Sequence, residues 1–224
     1  MRQFDKGLAL RLGRAALKYL RETEPEVLKW AIGTGKADFD KLTSTSFLRA
    51  YCWVVYASGF RFSTVKSLFP EIAAAFKNFD EKSLAGMRSI KPVLKVFNNE
   101  RKARGFLSGA QRILDEGFSA FKERLEKHGP DVLLELGGIG PITKNHLAKN
   151  IGLADVAKAD VWMVRAAALC NAASVGQLVD FLSGELELSA HAIDVAIWTF
   201  AKDGKMLELF DHKKGLVHAR NGRT

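Results

Sequence analysis

The sequence predicts an all-α protein, and two observations support that fold class. Apolar residues recur at the three- and four-residue spacing of amphipathic helices through most of the chain. No segment shows a convincing alternation of apolar and polar residues, the pattern typical of half-buried strands. No internal repeat or low-complexity linker is visible in the sequence.

Five segments carry the clearest helical pattern. The first, residues 7–21, places Leu8 and Leu12 on an apolar face and Arg11 and Arg14 on a basic one. The densest apolar pattern, in residues 46–58, predicts a central core helix. Three more helices are predicted over residues 63–76 (despite an internal proline), 99–114 and 119–128. The basic segment 211–224, with two glycines, is predicted to be a loosely ordered extension within reach of DNA.

Length and composition exclude two broad classes. The 224 residues suggest one or two domains, and 47% hydrophobic with 26% charged residues argue against a disordered chain. The most apolar stretch, residues 51–59, is far shorter than the ~20 residues that span a bilayer. No signal-like apolar run follows the first residues, so we expect a cytoplasmic protein, associated with the nucleoid if prokaryotic.

Cysteine and histidine usage argues against a metal centre built by side chains. Cys52 and Cys170 are the only cysteines, and we expect both to be reduced, buried hydrophobes, with a single disulfide as the alternative. Two cysteines cannot ligate a four-cysteine iron–sulfur cluster. The five histidines lack zinc-site spacing, so no cofactor is predicted.

The chain is strongly basic. Its 34 Lys and Arg residues against 25 Asp and Glu give a formal net charge of +9, with a pI near 9.6. Such an excess favours a polyanionic partner, with nucleic acid first, because Lys and Arg contacts to phosphate release counterions. Charge alone leaves open a basic protein that binds nothing specific.

A glycine-rich turn between two short helices is the first informative motif. Gly137, Gly138 and Gly140 follow a short helix that ends at Leu136, and Pro141 then occupies the first position of a helix running to about residue 149. Glycines let a backbone approach a phosphate closely, and amides at a helix N-terminus attract the anion. A plain helical hairpin with a glycine cap is the alternative at this point.

The second motif is a carboxylate. Asp160 lies twenty residues after Gly140 and directly precedes an apolar helical segment that contains Trp162 and Arg165. Taken alone, an acidic residue in this position is most simply a helix N-cap.

Together the two motifs resemble the helix–hairpin–helix DNA glycosylases, which include endonuclease III and the adenine, 8-oxoguanine and alkylbase glycosylases. Residues 136–140 resemble the family hairpin, with Gly137 in place of the usual proline, and residues 159–163 resemble the segment of the catalytic aspartate. Residues 99–103 resemble the start of the helix two before the hairpin, and residues 57–59 lie where the family has its DNA-penetrating loop. The resemblance covers about residues 45–202.

The resemblance implies two helical lobes with a DNA-binding cleft. One lobe would comprise residues 1–45 and 155–224, and the other residues 46–154, with the helix–hairpin–helix at 131–150. It implies a monomer that removes a modified base from double-stranded DNA, with Asp160 stabilising the oxocarbenium ion or activating water. It implies no membrane association.

The family's catalytic lysine position is occupied by Ile142, so the resemblance implies a monofunctional glycosylase that leaves an abasic site. Two alternatives stay open: a glycosylase/lyase that uses another lysine such as Lys144, and a helix–hairpin–helix DNA-binding protein without catalysis. Removal of hypermodified phage bases is a biological role that the same chemistry would allow.

The resemblance also assigns secondary roles. The main-chain carbonyls of Leu136 and Ile139 would hold a Na⁺ or K⁺ ion. His191 and Asp194 are expected to be surface or capping groups, and segment 189–202 a closing helix with core spacing. The DNA-binding candidates are Gly137, Gly138, Ile139, Gly140, Ile142, Thr143 and Lys144. The candidates for the base pocket or the wedge are Trp53 and Tyr56, which helical spacing also favours as core residues, together with Phe60, Arg61 and Trp162.

Overall fold

The computed structural model describes residues 3–209, and the segment 211–224 therefore lies outside the described part. Within it the chain is helical and contains no strand, which confirms the predicted fold class. Two 3₁₀ helices, Lys77–Phe79 and Gly129–Glu135, lie between α-helices. The α-helices in chain order are α1 (Lys6–Thr23), α2 (Pro25–Gly33), α3 (Lys36–Asp40), α4 (Ser44–Ala57), α5 (Phe62–Ala75), α6 (Glu81–Ala85), α7 (Lys91–Val96), α8 (Glu100–Glu116), α9 (Phe118–His128), α10 (Pro141–Asn150), α11 (Val161–Leu169), α12 (Val175–Leu186) and α13 (Ala190–Lys202).

The chain divides into two compact units. The terminal unit comprises Met1–Gly33 and Asp155–Thr224, and the central unit comprises Thr34–Ala154. The sequence placed the first boundary at 45/46, after α3, whereas α3 belongs to the central unit. Phe39 of α3 is buried, and Lys122 of α9 donates hydrogen bonds to the carbonyls of Asp40, at 2.7 Å, and Leu42.

The terminal unit is built around α13. This helix is buried on nearly all sides, including Ile193 and Ile197, and it packs against α1, α2, α11 and α12. Gly13 of α1 lets α12 come close, since a Cβ at that position would lie 2.8 Å from Leu182 Cδ2. The terminal unit thus gives α11, whose first residue follows Asp160, a rigid apolar support.

The central unit is organised by aromatic residues on α4. Phe47, Tyr51 and Tyr56 are fully buried there, and their rings contact Phe106 of α8 and Phe121 of α9, among others. α4 is therefore the core helix that the sequence predicted. Because α8 and α10 also pack on α4, the hairpin that precedes α10 rests on this core.

Ion pairs on the surface tie the start of the hairpin to the rest of the central unit. Arg124 lies 2.8 Å from Glu116 and 2.6 Å from Glu135, and Arg112 also reaches Glu135. The hydrogen bond from Arg124 lowers the pKa of Glu135 below its ordinary value. Exposed pairs of this kind contribute about 0–1 kcal/mol each, so they orient the 3₁₀ helix more than they stabilise the fold.

Cys52 and Cys170 are both buried and do not form a disulfide, as expected from the sequence. Burial raises the pKa of the Cys52 thiol, which keeps it protonated and unreactive. Within residues 3–209, every helix is too short or too polar to span a lipid bilayer.

Candidate active site and nucleic-acid interface

The hairpin has the predicted helix–turn–helix layout, with one change in its first arm. That arm is the 3₁₀ helix Gly129–Glu135, which begins at a glycine with φ +71° followed by a proline. The second arm, α10, begins at Pro141 as predicted, and Gly140 is its N-cap in extended conformation. A proline at the first helical position sacrifices no intrahelical hydrogen bond.

Close backbone packing requires a glycine at position 137. A Cβ at Gly137 would lie 2.8 Å from the Cα of Gly105 in α8, and closer still to its carbonyl oxygen. The hydroxyl of Tyr51 lies 2.6 Å from the Gly137 carbonyl oxygen and 3.2 Å from that of Gly105, and it donates to both. The turn is therefore held against α8 by contacts that only a glycine allows.

Gly138 and Gly140 differ in the space around them: a Cβ on Gly138 would lie 3.2 Å from the two methyl carbons of Val55, so that side of Gly138 faces the core. Gly138 is exposed with φ +84°, a left-handed conformation that side chains other than glycine disfavour. A Cβ on Gly140 would meet nothing within 4 Å. Bare backbone is thus presented at the surface, as a phosphate contact requires.

One expected amide is already in use. Gly140 is one of the DNA-binding candidates, but its N–H donates to Thr143 Oγ1 at 2.7 Å and is therefore not available to a phosphate. Pro141 has no N–H at all. The amides of Ile142 and Thr143, in the first turn of α10, have no helical carbonyl to bind and point outward from the N-terminus.

The two candidate lysine positions on α10 differ in environment. Ile142 is 48% exposed, although it is a large apolar side chain. Lys144 is partly buried, and its Nζ lies 2.6 Å from Asp131 Oδ1 on the 3₁₀ helix. The Lys144 amine is therefore directed across the hairpin toward its first arm.

The carbonyl oxygens that were assigned to a monovalent cation are suitable ligands for such an ion, although one of them already accepts a hydrogen bond. The side chains of Leu136 and Ile139 are buried, and their uncharged carbonyl oxygens are hard donors of the kind that Na⁺ and K⁺ accept. The Leu136 carbonyl also accepts the N–H of Ile139 at 3.1 Å, which leaves one lone pair for an ion.

Asp160 is the N-cap of α11, and its two carboxylate oxygens have different partners. Oδ1 accepts the N–H groups of Trp162 at 2.9 Å and Met163 at 3.2 Å. Oδ2 takes no part in the cap and lies 3.0 Å from Lys158 Nζ. The side chain is 14% exposed. The cap alternative is thus correct for one oxygen, while the other remains for a second role.

The aromatic candidates have distinct environments. Tyr56 is fully buried, so it is a core residue and offers no surface on which a base could stack. Trp53 is half-buried, with its ring edge-to-face against Phe62 and Phe69 at 5.7 and 5.1 Å. Trp162 packs on the core of the terminal unit, and the Arg165 guanidinium lies 5.1 Å from its ring centroid.

The candidate wedge residues lie on an exposed bend after α4. Phe60 is 44% exposed, and its ring contacts Phe97 edge-to-face at 4.9 Å. Arg61 is exposed and caps α5. These two side chains are the wedge candidates that reach solvent.

Sequence reasoning missed the lysine beneath this bend. Lys102 of α8 is buried, and its Nζ donates to the carbonyls of Val55 and Ser58 at the end of α4, the latter at 2.7 Å. The same Nζ lies 5.2 Å from the Phe60 ring centroid. Burial, with a smaller contribution from Arg101, lowers the pKa of Lys102 to about 8.

The structure also corrects two assignments on α13. His191 and Asp194 are buried, at 1% and 2% exposure, and are not surface groups. The His191 ring lies edge-to-face against Trp30 at 4.7 Å. Asp194 Oδ2 accepts the main-chain N–H of Lys158 at 2.9 Å. The signal in the sequence that could have indicated this burial is the high apolar content of the whole segment 189–202.

Comparison with known proteins identifies structures that share this fold. No family model and no curated protein sequence matches the chain. Two solved structures match it, both of the 8-oxoguanine DNA glycosylase from Methanocaldococcus jannaschii. The first, in complex with a 15-mer DNA containing 8-oxoguanine and described as a glycosylase/lyase, has a TM-score of 0.60 and 19% identity, over 85% of this chain and 97% of its own. The second has a TM-score of 0.61 and 18% identity, over 87% of this chain and 95% of its own. The chain therefore has the fold of the helix–hairpin–helix DNA glycosylases.

Proposed function

We propose that this protein is a monofunctional DNA glycosylase. It hydrolyses the N-glycosidic bond of a modified base in double-stranded DNA and leaves an abasic site. The observation that carries the proposal is the fold match to an 8-oxoguanine glycosylase over most of the chain, combined with an aspartate at the head of α11 that has one carboxylate oxygen outside its cap. The net charge of +9 suits a DNA substrate.

The chemistry begins with extrusion of the target nucleotide, because its glycosidic bond cannot be reached inside the stacked duplex. As the C1′–N bond breaks, the bonding electrons leave with the base and positive charge develops on the sugar. Asp160 stabilises that charge electrostatically and orients or deprotonates the incoming water. By analogy with other charge-stabilising groups, it contributes roughly 10²–10³ in rate.

The assignment as monofunctional rests on Ile142. An isoleucine offers no amine to attack C1′, so water must complete the reaction. The nearby Lys144 is paired with Asp131, which supports a role in bracing the hairpin. The alternative, a glycosylase/lyase that uses Lys144, predicts a covalent enzyme–DNA imine that borohydride would trap.

The hairpin binds the DNA backbone without reading sequence. The amides of Ile142 and Thr143 face outward at a helix N-terminus, Gly140 leaves room for a phosphate oxygen, and the exposed backbone of Gly138 lies beside it. A Na⁺ or K⁺ ion held by the carbonyls of Leu136 and Ile139 would supply positive charge next to that phosphate.

Phe60 and Arg61 are the residues that we assign to the space vacated by the flipped nucleotide, because both are exposed on one bend. We assign Trp53 and Trp162 to base contacts, since both keep part of their surface accessible. Tyr56 is left out of this proposal because it is buried.

A screen of modified duplexes tests the proposal. Duplexes that carry 8-oxoguanine, hypoxanthine, an alkylated purine or 5-hydroxymethyluracil are incubated with the protein, and abasic sites are scored by alkali cleavage. Glycosylase activity predicts cleavage only after alkali, and loss of that product in Asp160→Asn with DNA binding retained. DNA binding without any excised base would favour the non-catalytic alternative. Excision limited to a hypermodified base would favour a role against phage DNA.

A further inference from the structure

Asp160 lies at the end of a segment without regular structure, and its position must therefore be fixed by other contacts. Residues 154–160 form no helix in the structure. On the C-terminal side of Asp160, its carboxylate is held by the N-cap hydrogen bonds from Trp162 and Met163 of α11. A catalytic group has to be held to within about 0.5 Å to be effective, so the segment before it needs anchors.

Two carboxylates connect this segment to α13. Asp155 accepts the N–H groups of Ala190 and His191, at 3.1 and 2.9 Å, at the start of that helix. About one turn further along α13, Asp194 accepts the main-chain N–H of Lys158 at 2.9 Å. Because Asp194 is only 2% exposed and α13 is the core helix of the terminal unit, this second anchor is rigid.

Lys158 extends the connection to Asp160 itself. Its main-chain carbonyl accepts the N–H of Asp160 at 2.7 Å, and its Nζ lies 3.0 Å from Asp160 Oδ2. Its side chain is 21% exposed, so the ion pair is partly shielded from water. Asp194 therefore fixes the backbone of Lys158, and Lys158 fixes the backbone and one oxygen of Asp160.

We propose that Lys158 and Asp194 are positioning residues for Asp160. The α11 amides orient Oδ1 and the Lys158 ammonium orients Oδ2, while Asp194 holds the lysine backbone in register. The inference rests on the proposed function of Asp160. It adds two residues to that function, through which the core helix α13 controls the carboxylate.

Conservative and disruptive variants at both positions test the inference. Lys158→Met removes the cation and keeps most of the aliphatic chain, whereas Lys158→Arg keeps the charge. Asp194→Asn keeps an oxygen that can accept the Lys158 N–H, whereas Asp194→Ala keeps none. Lys202→Met is the matched control, because Lys202 lies on α13, is 22% exposed and pairs with Glu24 at 3.5 Å.

The measurements are the single-turnover rate of base excision and the dissociation constant for the same duplex, on the modified base that wild type excises. We expect Lys158→Met and Asp194→Ala to lower the excision rate by roughly 10-fold or more, with affinity changed by less than about 3-fold. Lys158→Arg, Asp194→Asn and Lys202→Met should stay within about 3-fold of wild type in rate. Thermal melting identifies any variant that fails to fold. If Asp194→Ala fails to fold, the comparison of Lys158→Met with Lys158→Arg decides the test, because Lys158 lies at a partly exposed position.

The outcomes separate this inference from the proposed function. If base excision is lost in Asp160→Asn but unchanged in Lys158→Met, the positioning role is overturned and the glycosylase proposal stays intact. An equal loss in Lys158→Met and Lys158→Arg, or a loss of affinity with no change in rate, also overturns it. A wild type that excises no base from any duplex overturns both.

Discussion

Substitution of Gly140 by alanine tests the phosphate-binding role of the hairpin separately from its contribution to the stability of the fold. The added Cβ would meet no atom within 4 Å, and Gly140 has φ −125° and ψ −177°, which any residue can adopt. The Gly140→Ala protein should therefore fold, because the gain of about 0.4–1 kcal/mol from a less flexible unfolded chain is roughly offset by the lower preference of alanine for the N-cap position of α10. If a phosphate oxygen lies against this backbone, the new methyl group pushes it outward.

The expected loss of affinity follows from the bonds at stake. Hydrogen bonds to a charged group contribute about 1.5–3 kcal/mol, so loss of one phosphate contact weakens binding roughly 10- to 100-fold. Because the contact is to the backbone, duplexes of different sequence should lose affinity to a similar extent. Fluorescence anisotropy with two unrelated duplexes gives the dissociation constants, and thermal unfolding gives the stability.

Gly137→Ala provides the contrast. Its Cβ would collide with the backbone of Gly105, so it should lower stability by about 1–3 kcal/mol through overpacking. An unchanged affinity in a folded Gly140→Ala protein would refute the phosphate role of the hairpin. A loss on one sequence alone would argue that the turn reads bases.

Three further predictions concern the chemistry and the wedge bend. Asp160→Asn should fold, since asparagine also caps helices, but lose roughly 10²–10³ in single-turnover excision; retained activity would exclude Asp160 as the charge-stabilising group. Ile142→Lys should introduce strand cleavage and a borohydride-trapped DNA complex that wild type lacks, and trapping already present in wild type would contradict the monofunctional assignment. Lys102 has its pKa lowered to about 8 by burial, from 10.5, so its charged form is disfavoured in the folded protein. The stability of wild type relative to Lys102→Met should therefore rise as pH increases from about 8 to 10.5, and denaturant unfolding that shows no such trend would contradict the burial effect.

The helices that the sequence predicted well are the long ones. Segment 99–114 is observed as Glu100–Glu116 and segment 46–58 as Ser44–Ala57, because several turns of regular apolar spacing leave little freedom in the assignment. Helices α2, α3, α6, α7 and α12 were not predicted. For α3, α6 and α7 the reason is length, since five or six residues are too few to show a helical period, whereas α2 and α12, with nine and twelve residues, were long enough and were overlooked. Their burial comes from partners elsewhere in the chain.

The same distinction applies to the candidate site. The hairpin and Asp160 are local motifs, and the structure has them as a turn before α10 and a cap before α11. The supporting contacts join distant residues: Gly137 meets Gly105, Lys102 reaches Val55, and Lys158 meets Asp194. Local spacing carries no information about such pairs, and this is why the buried Asp194 was taken for a surface or capping group.

The contact between Gly137 and Gly105 restricts how this chain can change over evolutionary time. Because the two backbones touch, position 137 accepts no side chain while α8 keeps its present distance from the turn, and a Cβ at position 105 would lie only 3.2 Å from the Gly137 carbonyl carbon. A proline at position 137 would need a shift of α8, which Tyr51 opposes by bridging both carbonyls. Any larger residue at position 137 therefore calls for movement of α8 together with loss of the Tyr51 bridge.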